Sequence, residues 1–139
     1  MTRSWDEAAV GDAIGPVAFP ITVYRLVVAA GANRDFNSIH HNSEYAKASG
    51  APEMYANMLF LQGMWERAVR DYIGVGGTIR RLAGFRMKSF NCAGETVVVK
   101  GELVRKWKED GVGFAEISIW SENGDRISVG PGMMTVTLP

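Results

Sequence analysis

Two adjacent histidines, His40 and His41, are the only ones in this sequence. They end a polar stretch that also contains one carboxylate, Asp35. An imidazole and a carboxylate that meet in space can hand protons to and from one water molecule near neutral pH. In a loop, a separation of five residues allows Asp35 and His40 to converge on one point. Asp35 and His40 are therefore a candidate general acid–base pair.

Spacing alone leaves other interpretations of this stretch open. An exposed Asp and a helix-flanking His without a catalytic role would give the same pattern, and His41 is an alternative base. If the pair is catalytic, Phe36 and Ile39 are expected to face inward and to keep its surroundings partly dry. The single cysteine, Cys92, is a weak candidate nucleophile because no histidine is near it in sequence.

The elements that must position the pair are predicted to be helices. The apolar and small residues of Val23–Ala32 predict a short helix that ends near Gly31. Asn42 resembles a helix start, and residues 45–49 would then form one or two turns closed by Gly50.

Residues 58–72 are the strongest helix candidate, since their apolar side chains recur at three- and four-residue spacing. The first half of this helix is apolar nearly all round, so we expect it to be buried, with Met64 and Trp65 in the core. Gly74 can end the helix in a left-handed conformation.

After Gly77 the hydrophobic period changes to two, which predicts strands. The strand candidates are residues 79–90, 96–105, 112–121 and 127–138, and a further strand is possible near residues 17–21. Asp110-Gly111 and Asn123-Gly124 predict two-residue hairpin turns of type I′. The order of helices and then a meander predicts an α+β fold in which a curled antiparallel sheet surrounds one helix.

Composition excludes several classes of protein. The chain has 139 residues, of which 47% are hydrophobic, and 15 basic residues balance 15 acidic ones. Zero formal net charge argues against nucleic acid and anionic membrane surfaces as partners. One cysteine excludes an intramolecular disulfide and a cysteine-rich metal site. With no signal-like or membrane-spanning segment in the sequence, we expect a cytoplasmic protein.

The polar stretch resembles a motif of a known family, the MaoC-like (R)-specific enoyl-thioester hydratases of hot-dog fold. Its Asp, Asn, Ile and His match that motif in register. The residues that carry the resemblance are Arg34-Asp35-Phe36-Asn37-Ser38-Ile39-His40, with Val10-Gly11-Asp12, Pro20-Ile21-Thr22, Ala56-Asn57-Met58-Leu59, Gly84-Phe85-Arg86 and Gly94-Glu95-Thr96-Val97 along the rest of the chain.

This resemblance implies one hot-dog domain over residues 1–139 that hydrates trans-2-enoyl thioesters, with coenzyme A as the expected carrier, or catalyses the reverse dehydration. It implies that Asp35 and His40 are catalytic and that Asn37, Asn57 and Met58 orient or contact the substrate. No metal or other cofactor is expected. Two rival functions remain: a thioesterase on the same fold, and a non-catalytic partner subunit of a heteromeric hydratase.

Four positions depart from the family pattern. Arg34 stands where the family usually has Gly, and Ser38 where it usually has Pro. Asn57 stands at a usual His and Met58 at a usual Gly. In the family, the backbone N–H at the position of Met58 helps to hold the thioester oxygen. Asn57 could cap the central helix, donate a hydrogen bond to the thioester, or both.

The pair Asn57-Met58, an Asn before a bulky apolar residue, is similar to what is found in the small MaoC-like subunits of actinobacterial hydratases that act on steroid side-chain thioesters. The resemblance implies an acyl site between two hot-dog chains, either a homodimer or a heteromer with a second MaoC-like chain. Arg80, Arg81, Arg86 and Lys88 could grip coenzyme A phosphates, although a solvated strand face gives the same pattern.

Overall fold

The computed structural model describes residues 2–139. A short 3₁₀ turn, Ser38–His40, lies between the first two helices. The helices and strands are β1 (Ala13–Pro20), α1 (Val23–Ala32), α2 (Ser43–Ala48), α3 (Met58–Ile73), β2 (Thr78–Ala83), β3 (Thr96–Glu109), β4 (Val112–Asn123) and β5 (Arg126–Leu138).

Local capping sets where the helices begin, as the sequence predicts at Asn42 and Asn57. Thr22 and Asn42 each accept a backbone N–H from the first turn of α1 and α2 respectively, and Asn57 does the same for α3. Gly74, at φ +70°, follows the last residue of α3. The helix predicted over residues 58–72 is thus confirmed, one residue longer at its C-terminal end.

Helix α3 provides the centre of the core. Met64 and Trp65 are buried, as predicted, and the indole N–H of Trp65 donates to Ser121 Oγ at 2.8 Å. The Trp65 ring lies so close to Gly130 and Gly132 of β5 that a Cβ at either position would come within about 3 Å of it. Two glycines in the strand therefore make room for the largest buried side chain of the helix.

The five strands form one antiparallel sheet in the order β1-β3-β4-β5-β2. The side chains that the alternation assigns to one face are fully buried: Val97, Val99 and Leu103 of β3, and Ala115, Ile117 and Ile119 of β4. Helix α3 contacts β1, β3 and β4 across this face. The expected α+β hot-dog architecture, an antiparallel sheet around a central helix, is confirmed.

The strand predicted over residues 79–90 is too long. It ends at Ala83, and Met87 alone rejoins the sheet, through an isolated bridge to Val129. Gly84 explains the break, since its φ of +71° lies outside the strand region and its backbone packs closely against Gly132.

One of the two predicted turns also differs. Asp110 and Gly111 both have positive φ, as a type I′ turn requires, but Asn123 pairs with Arg126 inside the ladder. The second loop is therefore Gly124-Asp125, in which only the first residue has positive φ, the pattern of a type II′ turn.

The prediction that the first half of α3 is buried holds only from Leu61 onward. Met58 and Leu59 are 49% and 46% exposed, so the N-terminal end of the helix presents apolar side chains at the surface. None of the helices described in residues 2–139 has the length and apolarity needed to cross a membrane.

Candidate active site

The end of α1 positions Asp35. The N–H of Asp35 donates to the carbonyl of Ala30 at 2.9 Å, and that of Arg34 to the carbonyl of Gly31 at 3.2 Å. These two bonds form the Schellman closure of a helix, which requires a left-handed residue just beyond the cap. Arg34 takes that conformation at φ +54°, a position that usually favours Gly. The helix end thus fixes the backbone of Asp35.

The 3₁₀ turn positions His40. Asn37 precedes this turn, and its Oδ1 accepts the N–H of Ile39 at 3.2 Å. The turn carries His40 inward, where the residue is only 6% exposed. Asn37 itself is exposed, so its observed contact is with the loop and its part in this structure is to shape the turn.

Asp35 and His40 meet as the sequence predicts. His40 Nε2 lies 3.2 Å from Asp35 Oδ2, and the imidazole is 8% exposed whereas the Asp35 side chain is 39% exposed. His40 Nδ1 lies 2.8 Å from the carbonyl oxygen of Tyr55, which can only accept, so Nδ1 carries a proton. Nε2 is therefore the nitrogen that can exchange a proton with a bound molecule, beside a carboxylate that water can reach.

Asn57 joins the pair to the central helix. Its Oδ1 accepts the N–H of Phe60 at 2.8 Å, which confirms the predicted cap. Its Nδ2 donates to Asp35 Oδ2 at 3.2 Å, and Asn33 Nδ2 donates to its Oδ1 at 3.3 Å. Neither side-chain contact was predicted from the sequence, because the contacts join residues 22 and 24 positions apart and no local spacing indicates them.

The first turn of α3 adds hydrogen-bond donors next to this pair. The first N–H groups of a helix have no acceptor within it, and within residues 2–139 neither Met58 N–H nor Leu59 N–H donates a hydrogen bond. The positive end of the helix dipole lies at the same place. This end of α3 can therefore bind a carbonyl oxygen or an anion next to Asp35.

An apolar groove of about 630 Å³ runs between α1, α3 and β1 and reaches this end of α3. Its wall includes Asn33, Leu59, Phe60 and Gly63. Asn33, which donates a hydrogen bond to Asn57, is part of this wall, so the groove begins beside Asn57. The groove can accommodate an apolar group.

The remaining candidates lie apart from this arrangement. His41 is exposed, with Nε2 3.3 Å from the carbonyl of Phe36. The expectation that Phe36 faces inward is wrong, since 71% of it is exposed. Ile39 is partly buried. Cys92 is buried, and that burial raises the pKa of its thiol, which disfavours a nucleophile.

The four basic residues near β2 are all exposed: Arg80, Arg81, Arg86 and Lys88. Lys88 lines a second, smaller cavity of about 300 Å³ beside Tyr55, whose carbonyl holds His40. In the part of the chain that the structure describes, no group of three or more His, Cys, Asp or Glu side chains could hold a metal ion.

The chain is similar to known proteins in sequence and in fold. No protein-family model matches it. A region of 78 residues is 33% identical to the 3-oxo-4,17-pregnadiene-20-carboxyl-CoA hydratase beta subunit of Mycobacterium tuberculosis. This match covers 56% of the chain and 60% of that relative, so the chain spans about three fifths of the curated relative it matches.

Two solved structures share the fold over almost the whole chain. One belongs to the ChsH1-ChsH2 complex from Mycobacterium tuberculosis, with a TM-score of 0.85 and 24% identity, covering 95% of this chain and 99% of that one. The other is the R-hydratase PhaJ1 from Pseudomonas aeruginosa, with a TM-score of 0.87 and 18% identity, covering 98% of this chain and 85% of that one.

Proposed function

We propose that this chain, which has the hot-dog fold of the MaoC-like hydratases and dehydratases, is a subunit that adds water to trans-2-enoyl thioesters or removes it from 3-hydroxyacyl thioesters. The observation that carries the proposal is the 3.2 Å approach of His40 Nε2 to Asp35 Oδ2 beside the N-terminus of α3. The name of the curated relative, a carboxyl-CoA hydratase subunit, supports coenzyme A as the carrier.

In this proposal the thioester oxygen binds at the first turn of α3. The unbonded N–H of Met58 or Leu59 donates to it, and the helix dipole favours the negative charge that develops there as the β-carbon is attacked. An N–H can play this part whatever the side chain, so Met58 at this position keeps the donor. Its half-exposed side chain would lie beside the acyl group.

Asp35 and His40 would handle the protons. A water bound beside the pair gives its OH group to the β-carbon and one proton to the pair, and the pair returns a proton to the α-carbon. The sum is addition of H₂O across the double bond, with no net oxidation or reduction. The Nδ1–H bond to the Tyr55 carbonyl keeps Nε2 turned toward the reacting atoms.

The direct test is turnover of trans-2-enoyl-CoA substrates with short, long and steroid acyl groups. Hydration removes the conjugated double bond, so we expect loss of its ultraviolet absorbance and formation of a 3-hydroxyacyl-CoA with the thioester intact. A thiol assay on saturated acyl-CoA distinguishes the thioesterase. Rapid thiol release without hydration would refute the proposal.

The proposed assembly is a heteromer with a second MaoC-like chain. Three observations support it: one solved structure of this fold is a complex of two differently named chains, the curated relative is a beta subunit, and Met58 and Leu59 expose apolar side chains at the candidate site. A homodimer is the simpler alternative, since two-fold homodimers are the commonest assemblies.

Activity of the purified chain separates these two assemblies. Under the heteromer proposal the isolated chain is poorly active, a MaoC-like partner chain restores turnover, and Met58→Gly alone does not. An isolated homodimer that hydrates enoyl-CoA with a kcat on the order of 10 s⁻¹ would exclude the heteromer and leave the Asp35–His40 mechanism in place.

A further inference from the structure

Asn57 makes three hydrogen bonds with one amide, and their directions leave it a single orientation. Its Oδ1 receives the N–H groups of Phe60 and Asn33, so Oδ1 must be the acceptor end. Its Nδ2 then faces Asp35 Oδ2. The flipped amide would set nitrogen against the backbone N–H of Phe60 and oxygen against the carboxylate of Asp35, and both contacts would be unfavourable.

The bond from Asn57 falls on a particular oxygen of the carboxylate. Asp35 Oδ2 is also the oxygen that lies 3.2 Å from His40 Nε2, so Oδ2 is held from two sides. Within residues 2–139, Oδ1 of Asp35 receives no hydrogen bond. Because Asp35 is 39% exposed and comes from a helix end, little else restrains the rotation of its side chain.

We infer that Asn57 is a positioning residue, which holds Asp35 Oδ2 against His40 and leaves Oδ1 directed toward the water or substrate. This inference rests on the proposed function and deepens it. It assigns the residue that replaces the family's usual His a second task besides capping α3. Asn33 supports the same geometry by fixing the amide of Asn57 from the other side.

The substitution Asn57→Asp separates positioning from capping. Aspartate caps a helix as well as asparagine does, so the bond to Phe60 N–H is retained. The N–H donor to Asp35 is lost, and a second negative charge faces the carboxylate. We expect kcat to fall roughly 10- to 100-fold, the usual effect of losing a hydrogen bond to a charged group. KM should change less than about threefold, because the bond is not to substrate.

Asn42→Asp is the matched control. Asn42 caps α2 through the same contact, with Oδ1 accepting Tyr45 N–H at 2.9 Å, and it does not contact Asp35 or His40. We expect Asn42→Asp to leave both kcat and the urea midpoint of unfolding unchanged. Asn57→Asp should lose kcat. Its urea midpoint should also fall, because residue 57 is 5% exposed and the new carboxylate faces Asp35, so kcat is compared below the unfolding transition, where both variants are folded.

A double-mutant cycle tests whether Asn57 acts through Asp35. In an Asp35→Ala background, Asn57→Asp should not lower the residual rate further, since its target is already absent. A normal kcat in Asn57→Asp, or an additive loss in the double mutant, would overturn the inference while the proposed function stands. If the wild-type chain, alone and with a MaoC-like partner chain, hydrates no enoyl-CoA, the proposed function fails instead, which is a distinguishable result.

Discussion

The two ends of helix α3 differ in what holds them. At the N-terminal end, Asn57 hydrogen-bonds to side chains from a helix end and a loop, and Met58 and Leu59 remain half exposed. Towards the C-terminal end, Val69 and Ile73 are completely buried, as is Trp65 in the middle of the helix. One helix thus supplies polar positioning at one end and hydrophobic stability at the other. Substitutions at the two ends should therefore affect different properties.

The largest effect is expected at the polar end. Asp35→Asn and His40→Ala should each lower the hydration rate by ~10²–10⁴, the usual contribution of a positioned acid or base. The double mutant should be little worse than the worse single, because the two residues act as a unit. Steady-state kinetics on enoyl-CoA, with circular dichroism to confirm folding, would measure this.

His41→Ala is the control for His40. The His41 side chain is exposed at the neighbouring position and lies against Phe36 O instead of the carboxylate. It should retain wild-type turnover. If His41→Ala loses activity and His40→Ala does not, the proposed pair is wrong.

The second effect is expected in the buried middle of α3. Trp65→Ala should destabilise the fold by about 3–5 kcal/mol, since it leaves a cavity beside Gly130 and Gly132 and removes the partner of Ser121 Oγ. Urea unfolding would measure the change. Trp120→Ala is the matched control: that ring is only partly buried and its N–H donates to Glu122, so the loss should be clearly smaller.

The smallest effect concerns the closure of α1. Arg34→Gly should stabilise the protein by about 0.5–1 kcal/mol, because relief of the left-handed conformation exceeds the backbone entropy that glycine adds. Arg67→Gly, in the exposed interior of α3, should instead cost about 1 kcal/mol. Equal destabilisation by both substitutions, measured by urea unfolding, would contradict this account of residue 34.

Elements whose signals are local could be predicted from the sequence. Helix starts follow from side chains that cap their own first turn, and the buried faces of β3 and β4 follow from strict alternation. The Asp35–His40 approach was also predictable, since a helix end and a 3₁₀ turn bring together residues only five apart. These features depend on neighbours within a few positions of each residue.

Tertiary structure decided the rest. The β2 strand stops at Ala83, where Gly84 has a positive φ and a Cβ would lie 3.2 Å from Gly132 of β5. Phe36 faces solvent although its side chain is apolar. The bond from Asn57 to Asp35 depends on how α1 and α3 pack together. Contacts between residues so far apart in sequence depend on how whole helices and strands pack against each other. Neither the type of a residue nor its sequence neighbours indicate which distant residue it will contact.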